Sequence, residues 1–188
     1  MNASLDERYF ERLYSKNDDP WNFATDAYER GKYRETIALL GGPYRRGLEI
    51  GCSIGILTEM LAAQFEQLLA VDINARAITQ AKANCAGRPN VRFERMTVPR
   101  DFPPGPFDAV VLSEVGYYWS DADLALAMDR IAENASGGTL ELVHFRPKVD
   151  DYVRDGDAVH EAFLSDGRFE RTLEYRAERY RIDVLLVR

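Results

Sequence analysis

Apolar positions along the chain change rhythm near residue 46. Before that point they recur at helical spacing. Leu5, Tyr9, Phe10, Leu13 and Tyr14 fall on one face of a helix predicted over 3–16. Pro20 in "NDDPW" lacks an amide hydrogen and restricts Asp19, which ends that helix. A second helix is predicted from about Ala27 to Leu40, capped by Thr25 or Asp26 and stopped by Gly41, Gly42 and Pro43. This opening stretch is rich in aromatics, among them Tyr9, Trp21, Phe23 and Tyr33.

From residue 46 onward, short apolar runs alternate with helical patterns. The predicted strands are "GLEIG", "LLAVD" (68–72), "VRF" (91–93), "FDAVVLSEV" (107–115) and "TLELVHF" (139–145). Between them, helical spacing links Ile54 through Phe65, Ala75 through Cys85, Asp121 through Asn134, and Ala158 through Leu164. Such alternation implies a parallel α/β sheet with right-handed crossovers. The last stretch breaks the rhythm. Phe169, Leu173 and Tyr175 alternate with polar residues, apart from Arg171, as do Tyr180, Ile182, Val184 and Leu186, so a terminal hairpin turning near Arg176–Glu178 is expected. The chain reads as one domain, with residues 1–44 a helical arm or lid and 45–188 the α/β core.

Composition narrows the function classes. The 188 residues carry a formal net charge of −7. An acidic chain without a long basic run argues against nucleic acid and anionic membranes as partners. Cys52 and Cys85 make no disulfide framework and, with the two His, no metal-ligand spacing, so no metal site is expected. No apolar stretch approaches 18 residues and the start has no signal-like apolar run, so a cytoplasmic protein is expected.

Candidate chemistry begins at "EIGCSIG" (49–55), a glycine-rich turn between a predicted strand and a helix. Such a turn brings backbone close to a ligand. The third glycine of a dinucleotide fingerprint is absent, and no Lys stands nearby to make a phosphate loop. The turn therefore suits a nucleoside ligand without pyrophosphate. Asp72, ending the second strand, is placed to accept from both ribose hydroxyls, and Glu49 could sit near a ligand ammonium.

The segments "LEIGCSIGILTEML", "LLAVDIN", "FDAVVLSEVGYYW" and "GGTLELVHF" resemble class I S-adenosylmethionine-dependent methyltransferases over roughly residues 46–146. "DDPW" (18–21), "YERGKY" (28–33) and "SEVGYYW" are similar to the NodS group, N-methyltransferases acting on deacetylated chitooligosaccharides. The resemblance implies a Rossmann-like, mostly parallel seven-stranded sheet with a reversed C-terminal strand. It implies S-adenosylmethionine as cofactor, S-adenosylhomocysteine as product and a small-molecule or amino-sugar acceptor. By the same resemblance Gly51, Ser53 and Gly55 line the methionine and ribose part, Glu49 sits beneath them, Asp72 binds the ribose and Ile73 meets the adenine. Where the family commonly has an Asp for the adenine amino group, this chain has Thr97, beside Met96.

A base is needed only when the nucleophile arrives protonated. Three places at the carboxyl ends of strands qualify. Glu114 follows the fourth strand and could hold an ammonium or take its proton. His144, at the end of the fifth, has a suitable unperturbed pKa. Tyr117, Tyr118 and Trp119 follow Glu114, and Trp21 follows a proline turn; of these, Trp21, Tyr117 and Tyr118 are the candidate acceptor contacts. His160, on a short charged helix, is expected to be solvated. The leading expectation is N-methylation of a free amine. O-methylation of a hydroxyl or carboxyl compound with His144 as base is the alternative, and a non-catalytic nucleoside-binding protein is the rival from another class. A nicotinamide-dependent dehydrogenase is disfavoured by the missing glycine and the terminal hairpin.

Overall fold

A computed structural model describes residues 3–188. Its core is one seven-stranded sheet in the order β3-β2-β1-β4-β5-β7-β6. The strands are β1 (Tyr44–Ile50), β2 (Phe65–Asp72), β3 (Val91–Arg95), β4 (Ala109–Ser113), β5 (Thr139–Phe145), β6 (Phe169–Arg176) and β7 (Tyr180–Val187). β1 to β5 run parallel, and β7 is antiparallel to both β5 and β6. The seven strands and the reversed hairpin are those the sequence pattern predicts.

Helices cover both faces. One face carries α2 (Ala27–Leu40), α3 (Ile56–Leu61) and α4 (Ala75–Asn84); the other carries α5 (Asp121–Asn134) and α6 (Gly156–Leu164). β4 shows why its sequence is apolar throughout. Val110 and Leu112 pack with the α5 residues Leu124 and Ile131, while Ala109 and Val111 face Leu57 and Leu61 of α3. Burial on both faces is what makes a parallel strand read as a continuous apolar run.

α1 (Glu7–Tyr14) is shorter than the helix expected over 3–16, whereas α2 spans the residues expected; both start at aspartate caps. Asp6 accepts from Tyr9 N–H, and Asp26, not Thr25, accepts from Tyr28 N–H. Two expected elements change. The helix expected across 54–65 stops at Leu61, because a short 3-10 turn (Ala62–Gln64) leads into β2 at Phe65, three residues earlier than predicted. β7 is buried on both faces, so Leu185 and Val187 are inside as well as Ile182, while Leu186 and Leu173 are exposed. A register shift between Arg171 and Leu173 breaks the alternation expected of β6.

β1 and β4 are neighbours whose connections leave in opposite directions along the sheet. A crevice opens at their carboxyl ends, where sheets of this kind bind ligands.

Candidate active site

That crevice is a cleft of about 550 Å³ lined by the carboxyl ends of β1 to β5, by α1 and by the start of α2. It has two ends of different chemistry.

The outer end is built on the turn after β1. Gly51 takes φ +83°, and a Cβ there would stand 2.1 Å from Val115 Cγ2. Only glycine meets both demands. Ser53 also takes a positive φ of 48°. It is held by its N–H, which donates to Asp72 Oδ2 at 2.9 Å, and by its hydroxyl, 2.5 Å from Tyr14 OH. Asp72 Oδ1 accepts from Asn74 N–H at 2.8 Å, so the carboxylate ties the turn to the start of α4. Each oxygen keeps a further lone pair. Burial pushes the Asp72 carboxyl up to about 6, against the pull of the backbone N–H groups of Asn74, Ser53 and Ile73. Ile73, Met96, Thr97 and Val98 line an apolar slot beside it.

α1 lies across this end. Glu7 pairs with Arg95 at 2.6 Å and Glu11 with Arg76 at 2.8 Å on one side. On the other side Leu5 N–H donates to Tyr118 O at 2.9 Å, and Ser4 bonds to Asp123. An aromatic row continues inward: Tyr14 meets Trp21 edge-on at 5.7 Å, and Trp21 stacks on Phe23 at 5.4 Å.

The inner end is charged. Glu114, directly after β4, has φ +59°, a left-handed conformation costly for a residue with a Cβ. Four groups hold it there. Its N–H donates to Val143 O at 2.8 Å; Oε1 pairs with Lys32 Nζ; Oε2 accepts from Tyr117 OH at 2.6 Å and from Phe145 N–H at 2.9 Å. Lys32, 2 % exposed, also lies 2.8 Å from Glu29 Oε2. Burial works against the Lys32 charge, but Glu114 and Glu29 more than offset it and hold the ammonium above the ordinary lysine value. For Glu29, burial outweighs Lys32 and the carboxyl is raised.

The sequence-predicted residues separate accordingly. Gly51, Ser53, Asp72, Ile73, Thr97, Trp21, Glu114, Tyr117 and Tyr118 all line the cleft. Tyr117 and Tyr118 are nevertheless buried in a 3-10 turn rather than standing in an open loop. Tyr118 OH reaches Tyr152 OH at 3.2 Å.

Four expectations are corrected. Gly55 caps α3, and a Cβ there would meet Ala81 Cα at 2.9 Å, so it is a helix-packing glycine away from the cleft wall. Glu49 does lie beneath the turn, but it is sealed off the cleft wall, away from any ligand ammonium, with Oε2 unpartnered among the described residues. His144 is fully buried off the cleft. Its Nε2 accepts from Gly116 N–H at 3.1 Å, and its Nδ1 lies 3.1 Å from His160 Nε2. His160 is likewise buried, its Nδ1 2.8 Å from Asp183 Oδ2, rather than solvated. The Gly116 bond requires a neutral His144 protonated on Nδ1, which donates to His160; His160 then donates to Asp183. Burial lowers the pKa of both rings, so His144 is a structural acceptor.

Sequence reasoning missed Lys32 and Glu29. They stand three apart on α2 and thus on one helix face, a spacing that also describes any solvated ion pair.

The pattern of the family described as Nodulation protein S (NodS) matches residues 7–140. The chain belongs to this family. Its relatives include nodulation protein S of Bradyrhizobium diazoefficiens, 32% identical over 106 residues, covering 55% of this chain and 51% of that one. An uncharacterised methyltransferase of Mycobacterium bovis is 31% identical over 133 residues, covering 68% and 62%. The matches span about half the length of the nodulation proteins. Among solved structures, the N-methyltransferase NodS from Bradyrhizobium japonicum WM9, in complex with S-adenosylhomocysteine, superposes with a TM-score of 0.83 over 96% of this chain and 97% of that one, at 23% identity. That likeness shows the fold, and the family pattern's match to residues 7–140 takes in α1, α2 and the sheet through β4.

Proposed function

We propose that the protein is an S-adenosylmethionine-dependent methyltransferase that N-methylates a primary amine on a small molecule or deacetylated amino sugar. The residues of the outer end fit the cofactor. Gly51 presents bare backbone on the cleft wall, Asp72 offers a further lone pair on each oxygen, and Ile73, Met96 and Val98 give apolar lining suited to a base. Gly51 and Ser53 would hold the methionine and ribose part, and Asp72 the ribose hydroxyls. Bound there, the cofactor supplies a methyl group activated on a sulfonium sulfur. Membership of the NodS family supports the same reading.

The observation that carries the amine is the charge of the inner end. Glu29 and Glu114 against Lys32 leave one negative charge in excess, and Asp26 and Arg179 on the same wall offset each other. A site short of one positive charge selects a cationic acceptor over a neutral one. The O-methyl alternative relied on His144 as base, and that ring is buried off the cleft with both nitrogens bonded.

Calorimetry should detect S-adenosylhomocysteine and no comparable binding of NAD. With labelled S-adenosylmethionine, primary amines, including glucosamine oligomers, should gain label, whereas the matched hydroxyl compounds should not. Label on hydroxyls alone would overturn the amine assignment. A protein that binds the nucleoside without turnover would give cofactor binding and no labelled product.

A further inference from the structure

We propose that Glu29, on α2, is the catalytic base that binds the acceptor's ammonium and removes its proton, while Glu114 serves as a fixed anchor for Lys32. This rests on the amine reading given above and assigns the proton-accepting role within it. Two carboxylates face the inner end, and their surroundings differ. Glu114 already accepts three hydrogen bonds, from Lys32, Tyr117 and Phe145. Three of its four lone-pair positions are thereby taken by fixed protein donors. Glu29 meets only Lys32, through Oε2. Among the described residues nothing donates to its Oε1, which is unsealed on a residue lining the cleft.

The charged and titratable groups around Glu29 are Lys32, Tyr28 and Tyr33 on α2, its cap Asp26, Glu114 after β4, and Arg179 from the β6–β7 turn, which stacks over Tyr28 at 4.4 Å. Burial, with Glu114 and Asp26, raises the Glu29 carboxyl above its ordinary value against the pull of Lys32. A carboxyl balanced in that way accepts a proton more readily than an exposed one. The Glu114 backbone supports the division of roles. A strained residue held at four points fixes geometry, whereas Glu29 Oε1 is open to a ligand.

The step balances as follows. The acceptor enters as R–NH3+, and one N–H proton passes to Glu29 Oε1, giving a neutral carboxylic acid and R–NH2. The amine lone pair forms the new N–CH3 bond as the S–CH3 bond breaks. The pair of the broken bond stays on sulfur, which becomes a neutral thioether, and the product is R–NH2+–CH3. Glu29 returns its proton to solvent after release.

The test compares wild type with Glu29→Gln and Glu29→Asp, using glucosamine oligomers as the amine probe. Circular dichroism and S-adenosylhomocysteine affinity serve as fold controls. Two readouts are taken. The first is calorimetric binding of the oligomer to the S-adenosylhomocysteine complex, which needs no turnover. Glu29→Gln should weaken it about tenfold through loss of one charge-assisted contact. The second is kcat/KM against pH. Loss of a general base costs on the order of 10²-fold or more near pH 7. The Glu29→Gln deficit should shrink as pH rises and free amine appears in solution. Glu29→Asp should recover part of the rate, because the charge remains. An unmoved affinity and pH profile in whichever variant folds would overturn the assignment alone. Failure of wild type to methylate any amine would overturn the amine reading, and this assignment with it.

Discussion

Replacing Asp72 with Asn tests the outer end most sharply, because one atom changes and two measurements respond. The carboxylate now spends one lone pair of Oδ2 on Ser53 N–H and one of Oδ1 on Asn74 N–H. The remaining two are the proposed acceptors for the ribose hydroxyls. An amide has a single acceptor oxygen, so its NH2 must confront either the Ser53 or the Asn74 N–H, donor against donor. Hydrogen bonds to charged groups are worth about 1.5–3 kcal/mol each. Because water and the surviving oxygen offset part of the loss, the net cost falls near 3 kcal/mol, on the order of a hundredfold in affinity. The second measurement is pH. In the free protein this carboxyl sits at about 6, raised by burial. Ligand hydroxyls favour the ionised form, so wild-type affinity for S-adenosylhomocysteine should be level above about pH 7. It should then fall towards a decade per pH unit below 6. Asp72→Asn should be weak and flat over the same range. Isothermal titration between pH 5 and 8 measures both. Wild-type affinity in the variant, or a wild-type profile that ignores pH, would remove Asp72 from the cofactor site.

Three other outcomes are expected. Burial raises Glu49 from 4.5 to about 7. Its protonated form therefore stabilises the fold fully below pH 4.5, and that contribution, about 3 kcal/mol, is lost as pH rises through 7. Glu49→Gln should match wild type near pH 4 and exceed it at pH 8 in denaturant titrations; a difference constant with pH would contradict this. Gly51→Ala puts a methyl 2.1 Å from Val115 Cγ2 at a positive φ. A loss of about 1–3 kcal/mol in stability is expected, partly relieved by Val115→Ala, and a fully stable Gly51→Ala with normal cofactor affinity would argue against the tight approach. The arm should be cut by protease between Asn17 and Thr25, and S-adenosylhomocysteine should protect it, since Tyr14 bonds directly to Ser53 in the turn; equal cutting with and without ligand would mean that the arm is fixed packing.

The outer end was legible in the sequence because its demands are local. A turn needing positive φ must use glycine, an apolar run bounded by turns reads as a buried strand, and an acid at a strand's end can be counted from the turn. The hairpin was legible for the same reason, although burial of β7 on both faces hid which residues point inward. Helix α3 was overextended because Ala62 and Phe65 keep the helical spacing; pairing of Phe65 with Tyr44 on β1, a tertiary contact, takes the chain into β2 instead.

The inner end was illegible for a reason that bears on its chemistry. A charged residue is tolerated in the interior only when its partner is supplied, and the partners here come from far away in sequence. Lys32 is buried because Glu114 arrives 82 residues later, and His160 because Asp183 arrives 23 residues later. In isolation "YERGKY" reads as a solvated helix face and His160 as a surface residue. Backbone constraints built the outer end, so a one-dimensional pattern can find it. The inner end draws groups from α2, from the ends of β4 and β5, and from the β6–β7 turn, so no single segment encodes it. An acceptor site assembled in that way can change its charge by substitution at one position without disturbing the glycine turn or Asp72. For that reason the family match identifies the cofactor half more firmly than the acceptor, and the acceptor must be read from the balance of Glu29, Lys32 and Glu114.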